Sequence, residues 1–265
     1  KPLYNFYGYV VDGVYESLED IENSPKTAKH PENGVYNRSN TVWVGDLKYK
    51  DINQDGVIND QDRTDIGSPL PLFTFGWNNT FRYKGFDLNI FLNGSYGNKV
   101  LNYSLMNGPS GGLASMRSAW VNQNASAIKD RAQLVPIDPD KVYESGSWFD
   151  DITNVKVENS GTKTPRPTLS DPNDNDRLST RYIEDGSYLR IKNITLGYTF
   201  PKKWMQKAHF DNIRVYCNIQ NLYTFTKYSG YDPEVGASTQ DSSGYAYGVD
   251  NGRYPSPTTY SFGVS

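Results

Sequence analysis

Residues 71–83 read P-L-F-T-F-G-W-N-N-T-F-R-Y. Odd positions carry Phe73, Phe75, Trp77, Asn79, Phe81 and Tyr83; even positions carry Leu72, Thr74, Gly76, Asn78, Thr80 and Arg82. Successive side chains on a strand point to opposite faces, so this stretch has one aromatic face and one almost wholly polar face. After a tight Lys84-Gly85 turn, Phe86, Leu88, Ile90, Leu92 and Tyr96 oppose Asp87, Asn89, Asn93 and Ser95, with Phe91 the exception. The contrast returns in 187–200, 213–225 and 258–265. In the first of these, Leu189 and Ile191 are out of phase with Ile194, Leu196, Tyr198 and Phe200, which predicts a bulge near Lys192.

A soluble sandwich also has one apolar face per strand. Three features separate the two cases. Thirteen residues at about 3.3 Å each, tilted by about 40°, rise roughly 33 Å, enough to clear an apolar band of about 25 Å. Tyr83, Phe86, Tyr96, Tyr198, Phe200, Tyr223 and Phe225 stand at strand ends, as interfacial girdles do. The connections alternate between short (Lys84-Gly85; 201–212) and long (97–186; 226–257), as in outer-membrane barrels. The fold expected is therefore all-β: an antiparallel transmembrane β-barrel segment with long extracellular loops. Residues 1–70 form an extracellular loop region and 71–265 the strands with their loops.

Composition narrows the function classes. A net charge of −3 provides no basic stripe, so nucleic acid is excluded as a partner. One cysteine, Cys217, rules out an internal disulfide framework, and it reads as a small lipid-facing hydrophobe. His30 and His209 read as surface loop and turn residues, and no catalytic constellation stands out, so an enzyme is not expected. No apolar run is long enough for a transmembrane helix, and hydropathy is nearly blind to barrels. The chain begins at Lys1 without a signal peptide, which reads as processing or as a piece of something longer.

The stretch D-I-N-Q-D-G-V-I-N-D-Q-D, 51–62, has the spacing of a calcium loop. Asp51, Asn53 and Asp55 would offer side-chain oxygens, Val57 a carbonyl and Asp62 the twelfth-position carboxylate. Gly56 permits the sharp turn. Calcium is expected as a structural staple; the competing reading is an Asx- and Gly-rich turn without metal. Trp43, Trp120 and Trp148, with Tyr245 and Tyr247 in a tyrosine-rich loop, are candidate contacts for a ligand or partner, or anchors of the loops' own packing. Lys202, Lys203 and Lys207 flank Trp204, which fits a short interfacial helix.

Five stretches resemble SusC/RagA-type TonB-linked outer-membrane proteins in that family's order: PLYNFYGYVVDGVY, GDLKYKDINQDGVINDQDRTDIGSPLPLFTFGWNNTFRYKGFDLNIF, DGSYLRIKNITLGYTFPKKW, VYCNIQNLYTFTKYSGYDPEV and GRYPSPTTYSFGVS. The resemblance implies the last five or so strands of a large barrel. It implies uptake of glycan or peptide cargo, powered through TonB by an N-terminal part outside this sequence, beneath a SusD-like surface lipoprotein. The partners implied are that lipoprotein, TonB and outer-membrane lipid. The alternative is a secreted calcium-bound carbohydrate-binding β-sandwich.

Overall fold

The computed structural model describes residues 4–107, 130–144, 146–168, 170–207, 209–235, 237–238 and 246–265. Strands dominate, and among the described residues no helix is long and apolar enough to cross a membrane. The chain divides into two units, Lys1–Gly67 with Leu101–Glu184, and Ser68–Val100 with Asp185–Ser265.

The second unit contains the five long alternating segments. They form β1 (Phe73–Tyr83), β2 (Phe86–Tyr96), β3 (Tyr188–Thr199), β4 (Arg214–Thr226) and β5 (Thr259–Val264). These are hydrogen-bonded in sequence order as one antiparallel meander. The β1–β2 turn has Lys84 at φ 47° and Gly85 at φ 88°. Two successive left-handed residues give the turn whose twist matches the flanking strands. The register slips between Ile191 and Asn193 in both ladders of β3, so the bulge expected at Lys192 is present. It restores phase: Ile191 joins Leu92 and Tyr223, while Ile194 joins Ile90 and Ile219. Helix Lys202–Lys207 links β3 to β4, burying Met205 and exposing Trp204.

Register turns the alternation of each strand into rows across the sheet. Phe81, Leu88, Leu196, Cys217 and Phe262 lie in one row, and Thr80, Asn89, Thr195, Asn218 and Ser261 in the next. The apolar face is uncovered: Phe81 is 54% exposed, Leu196 49% and Phe262 79%. A water-soluble sandwich would bury this face against a second sheet, so the sandwich alternative does not describe this unit.

The first unit is built from short pieces around its own core. Tyr15, Ile21, Val42, Trp43, Val44, Leu47, Tyr49 and Val155 are fully or almost fully buried. Val11–Val14 pairs with Leu47–Tyr49, Phe6–Gly8 with Thr64–Gly67, and Leu134–Pro136 with Val155–Val157, all antiparallel. Ala132, Ile152, Val155 and Val157, read from sequence as part of a connecting loop, thus belong to this packed core. The helix Leu18–Asn23 starts where the Ser17 hydroxyl accepts the Asp20 N–H at 3.2 Å, and buries Ile21.

Candidate functional site

The polar face of the sheet is a connected surface. The Asn89 amide donates to Asn78 Oδ1 (2.8 Å) and Thr80 Oγ1 (2.9 Å), and the Thr195 hydroxyl to Asn218 Oδ1 (3.1 Å). Arg214 on β4 reaches across β3 to Asp87 on β2 with two hydrogen bonds, Nε–Oδ1 at 3.0 Å and Nη2–Oδ2 at 2.6 Å. That crossing depends on Gly197, where a Cβ would fall 2.6 Å from Asp87 Oδ1 and 2.7 Å from Arg214 Cζ. Phe91, the aromatic exception, lies over Gly76. Near the other end, Arg190 is buried among acceptors on β4 and on the loop that follows it. It pairs with Asp232, donates to Glu234 Oε2 at 2.7 Å and to Thr224 Oγ1 at 2.8 Å. Neither ion-pair cluster is legible in sequence. The only hint is that Asp87 and Arg214 are charges on a largely neutral polar face, where Arg82 stands opposite Asp87.

The apolar face ends in rings. Phe73 stacks on Tyr96 (5.4 Å between centroids), Phe86 meets Tyr198 (4.5 Å), and Tyr223 meets Phe225 (4.7 Å). Cys217 is half-buried and free, in the apolar row. A greasy outer face, a hydrogen-bonded inner face and aromatic ends suit a wall between lipid and water.

Among the predicted site residues, Asp51, Asn53, Asp55, Val57 and Asp62 fold into one loop. Asp51 accepts the N–H of Gln54 (2.7 Å) and Gly56 (2.8 Å). Asp62 accepts those of Ile52 (2.9 Å) and Asn59 (2.8 Å), closing the loop end to end. Asn53 and Asp55 accept the N–H groups two residues onward. Gly56 has φ 82° and Gln54 φ 61°, the left-handed pair that folds the loop on itself. Backbone amides thus meet all three carboxylates, and among the described residues no three His, Cys, Asp or Glu side chains gather as a metal centre. A carboxylate with two N–H partners still has lone pairs for a cation, so the donor set fits calcium.

The tryptophans divide differently. Trp43 is fully buried in the first unit's core, and Trp148 packs against the same core. For Trp43 the contact role is corrected: its indole is enclosed by apolar neighbours and no ligand reaches it. Trp120 and Tyr245 lie outside the described residues; Tyr247 is 43% exposed. His30 is a turn residue, as read from sequence, but half-buried rather than on the open surface. Its Nδ1 accepts the Thr27 N–H at 2.8 Å, and its ring stands edge-on to Tyr15 at 6.4 Å, so it closes a turn, and burial lowers its pKa.

Sequence missed a polar knot inside the first unit. The run D-P-N-D-N-D-R, 171–177, reads as turn chemistry, yet Asn173 and Asn175 are fully buried. Asn175 Oδ1 accepts the Leu47 N–H at 2.6 Å, and its amide donates to Asp171 (2.6 Å) and Asp46 (3.3 Å). Asp46 is buried against Arg166, with Oδ1 2.9 Å from Nε. Arg177 lies over the Tyr9 and Tyr49 rings at 5.0 and 4.7 Å. Burial pushes Asp171 up to about 6, and raises Asp46 despite Arg166.

No family model matches the chain. Among curated proteins, it is 32% identical over 266 residues to TonB-dependent receptor P3 of Formosa agariphila, a match covering 98% of this chain and 22% of that protein. Over nearly its whole length the chain matches TonB-dependent receptors. TonB-dependent receptor P26 of the same organism is 30% identical over the same shares. TonB-dependent receptor SusC of Bacteroides thetaiotaomicron is 26% identical over 82% of this chain and 17% of its own length. The chain therefore spans about a fifth of the receptors it matches. Among solved structures, the RagAB peptide importer in its open-open state superposes with a TM-score of 0.55 at 20% identity, over 98% of this chain and 22% of that one. The RagAB peptide transporter gives 0.56 at the same identity. This likeness establishes a shared fold with part of an importer subunit.

Proposed function

We propose that this chain forms part of the wall and outer loops of an outer-membrane importer. The importer takes up oligosaccharides or peptides, works with a SusD-like surface lipoprotein, and draws its energy through TonB. The observation that carries this reading is the uncovered apolar face continued across five paired strands. Eleven residues at about 3.3 Å each, tilted by about 40°, rise roughly 28 Å, which matches an outer-membrane apolar band. β1 and β2 each have that length. The sheet's two outer strands would pair with further strands, because a membrane tolerates no open edge. The kinship with TonB-dependent receptors supports the same reading. The test is fractionation of cells expressing the protein, with electrophoresis before and after boiling. A membrane barrel goes to the outer membrane and migrates differently once boiled. Soluble recovery and unchanged migration would sink the proposal.

Calcium in the 51–62 loop belongs to this reading as a structural staple. Asp51, Asn53, Asp55 and Asp62 would hold it through side-chain oxygens and Val57 through its carbonyl, at about 2.3–2.6 Å. Calcium would supply positive charge to offset the three carboxylates that this one loop carries. Titration calorimetry and thermal unfolding with and without a chelator decide the matter. Heat on calcium addition, and a melting temperature lowered by chelation in the native chain but not in Asp51→Ala, is expected. Identical curves with and without calcium would leave the loop to its Asx turns alone.

A further inference from the structure

Strand Leu134–Pro136 forms one wall of a cleft of about 360 Å³ within the first unit. Arg38, Arg131, Gln133, Phe149, Glu158 and Pro167 line it. The pairing with Val155–Val157 extends to Gln133, whose carbonyl accepts the Glu158 N–H at 2.8 Å. Gln133 and Glu158 are thus directly opposed, and Arg131, two residues earlier, falls on the same side. Ala132 donates to Thr164 O at 2.8 Å, but two residues onward the Arg166 N–H turns to Gly45 O at 2.8 Å, so the two segments part after a single bridge and the cleft stands between them. Arg38 is held by Asp150 at 3.1 Å and lies over the Phe149 ring at 4.5 Å. Trp148 stands edge-on to the same ring at 5.7 Å. By contrast, among the described residues neither the Arg131 guanidinium nor the Glu158 carboxylate is in an ion pair.

We infer that this cleft binds a short zwitterion, a free amino acid or a di- or tripeptide, with Arg131 on the carboxylate, Glu158 on the ammonium and Gln133 between them. One unpaired charge of each sign in one small cleft matches a ligand that also carries one of each, and leaves no net charge behind. A neutral sugar would need an open aromatic face, and Arg38 already covers that of Phe149. The inference deepens the import reading, on which it rests, by naming a cargo class and a place where it is held.

The test is titration calorimetry on the purified protein in mild detergent, with alanine, trialanine, N-acetyl-trialanine, trialanine amide and maltotriose. Trialanine should bind, and Arg131→Gln and Glu158→Gln should each weaken it about tenfold or more, the cost of one charge-assisted contact. The N-acetyl form should be insensitive to Glu158→Gln and the amide insensitive to Arg131→Gln, a pattern that mere misfolding would not produce. Alanine binding as tightly as trialanine would assign the cleft to free amino acids. No binding of either, equal binding by the variants, or maltotriose binding with the same residue dependence would overturn the inference. Outer-membrane fractionation of the same preparation reports on the import reading separately: a correctly inserted protein that ignores trialanine refutes the cleft alone.

Discussion

Asn175 shows how one side chain can hold distant segments together. It accepts the Leu47 N–H and donates to Asp46, both shut away from water with it, and to the partly buried Asp171. Asn175→Ala would leave the Leu47 N–H unsatisfied and should cost about 2–3 kcal/mol, read as faster amide exchange at 43–49 and a lower melting temperature. Asp171 gives the same knot a pH dependence. Its pKa is about 6 folded against 3.8 for the free group, so the folded form binds the proton more tightly. Its contribution is therefore unfavourable above pH 6 and is relieved as pH falls from about 6 towards about 4. His30, lowered by burial, works in the opposite direction below its ordinary value of 6.5. Comparison with Asp171→Asn, which retains His30, separates them. The melting temperature of the native chain should gain on that of the variant between pH 7 and 4; a constant difference would contradict the assignment.

Among the elements, β3 shows most clearly how strand patterning becomes a surface. Its bulge at Lys192 lets an out-of-phase sequence keep Leu189 and Ile191 with Ile194 on the apolar side. Its Gly197 makes room for Arg214 to cross to Asp87. Gly197→Ala should displace that pair and destabilise the sheet by about 1–3 kcal/mol, measured as a lower denaturation midpoint in detergent. Face matters as much as position. Arginine at Leu88, Ile90 or Phe75 should cost about 2–4 kcal/mol near mid-membrane and reduce the folded, heat-modifiable fraction. Arginine at Asn89 or Thr74, on the polar face, should leave most of that fraction intact. Equal damage on both faces would argue that the sheet is a soluble core.

For the whole molecule, the importer reading predicts company. A SusD-like lipoprotein should co-purify with the protein from outer membranes in mild detergent. Its absence from the purified protein, with the protein itself intact, would remove that partner from the proposal. Trp43→Ala should not act through such a partner. It empties a fully buried site, so its effect should be lost stability of about 3–5 kcal/mol in the isolated protein.

The sequence by itself determined the sheet. A period of two, strand lengths near a dozen, a Lys-Gly turn and a phase slip at Lys192 are local properties of the chain, and local chemistry fixes each of them. The five strands consequently lie where the alternation puts them, in sequence order. The first unit was hidden, because its elements are two to six residues long and its core is gathered from both sides of residues 68–100. No period can establish itself over so few residues. Whether Trp43 faces a ligand or a core, or whether Asn173 and Asn175 make a surface turn or a buried knot, depends on partners more than a hundred residues away. A polar residue's hydrogen-bonding capacity is written in the sequence, but the group that satisfies it is chosen only when the chain folds.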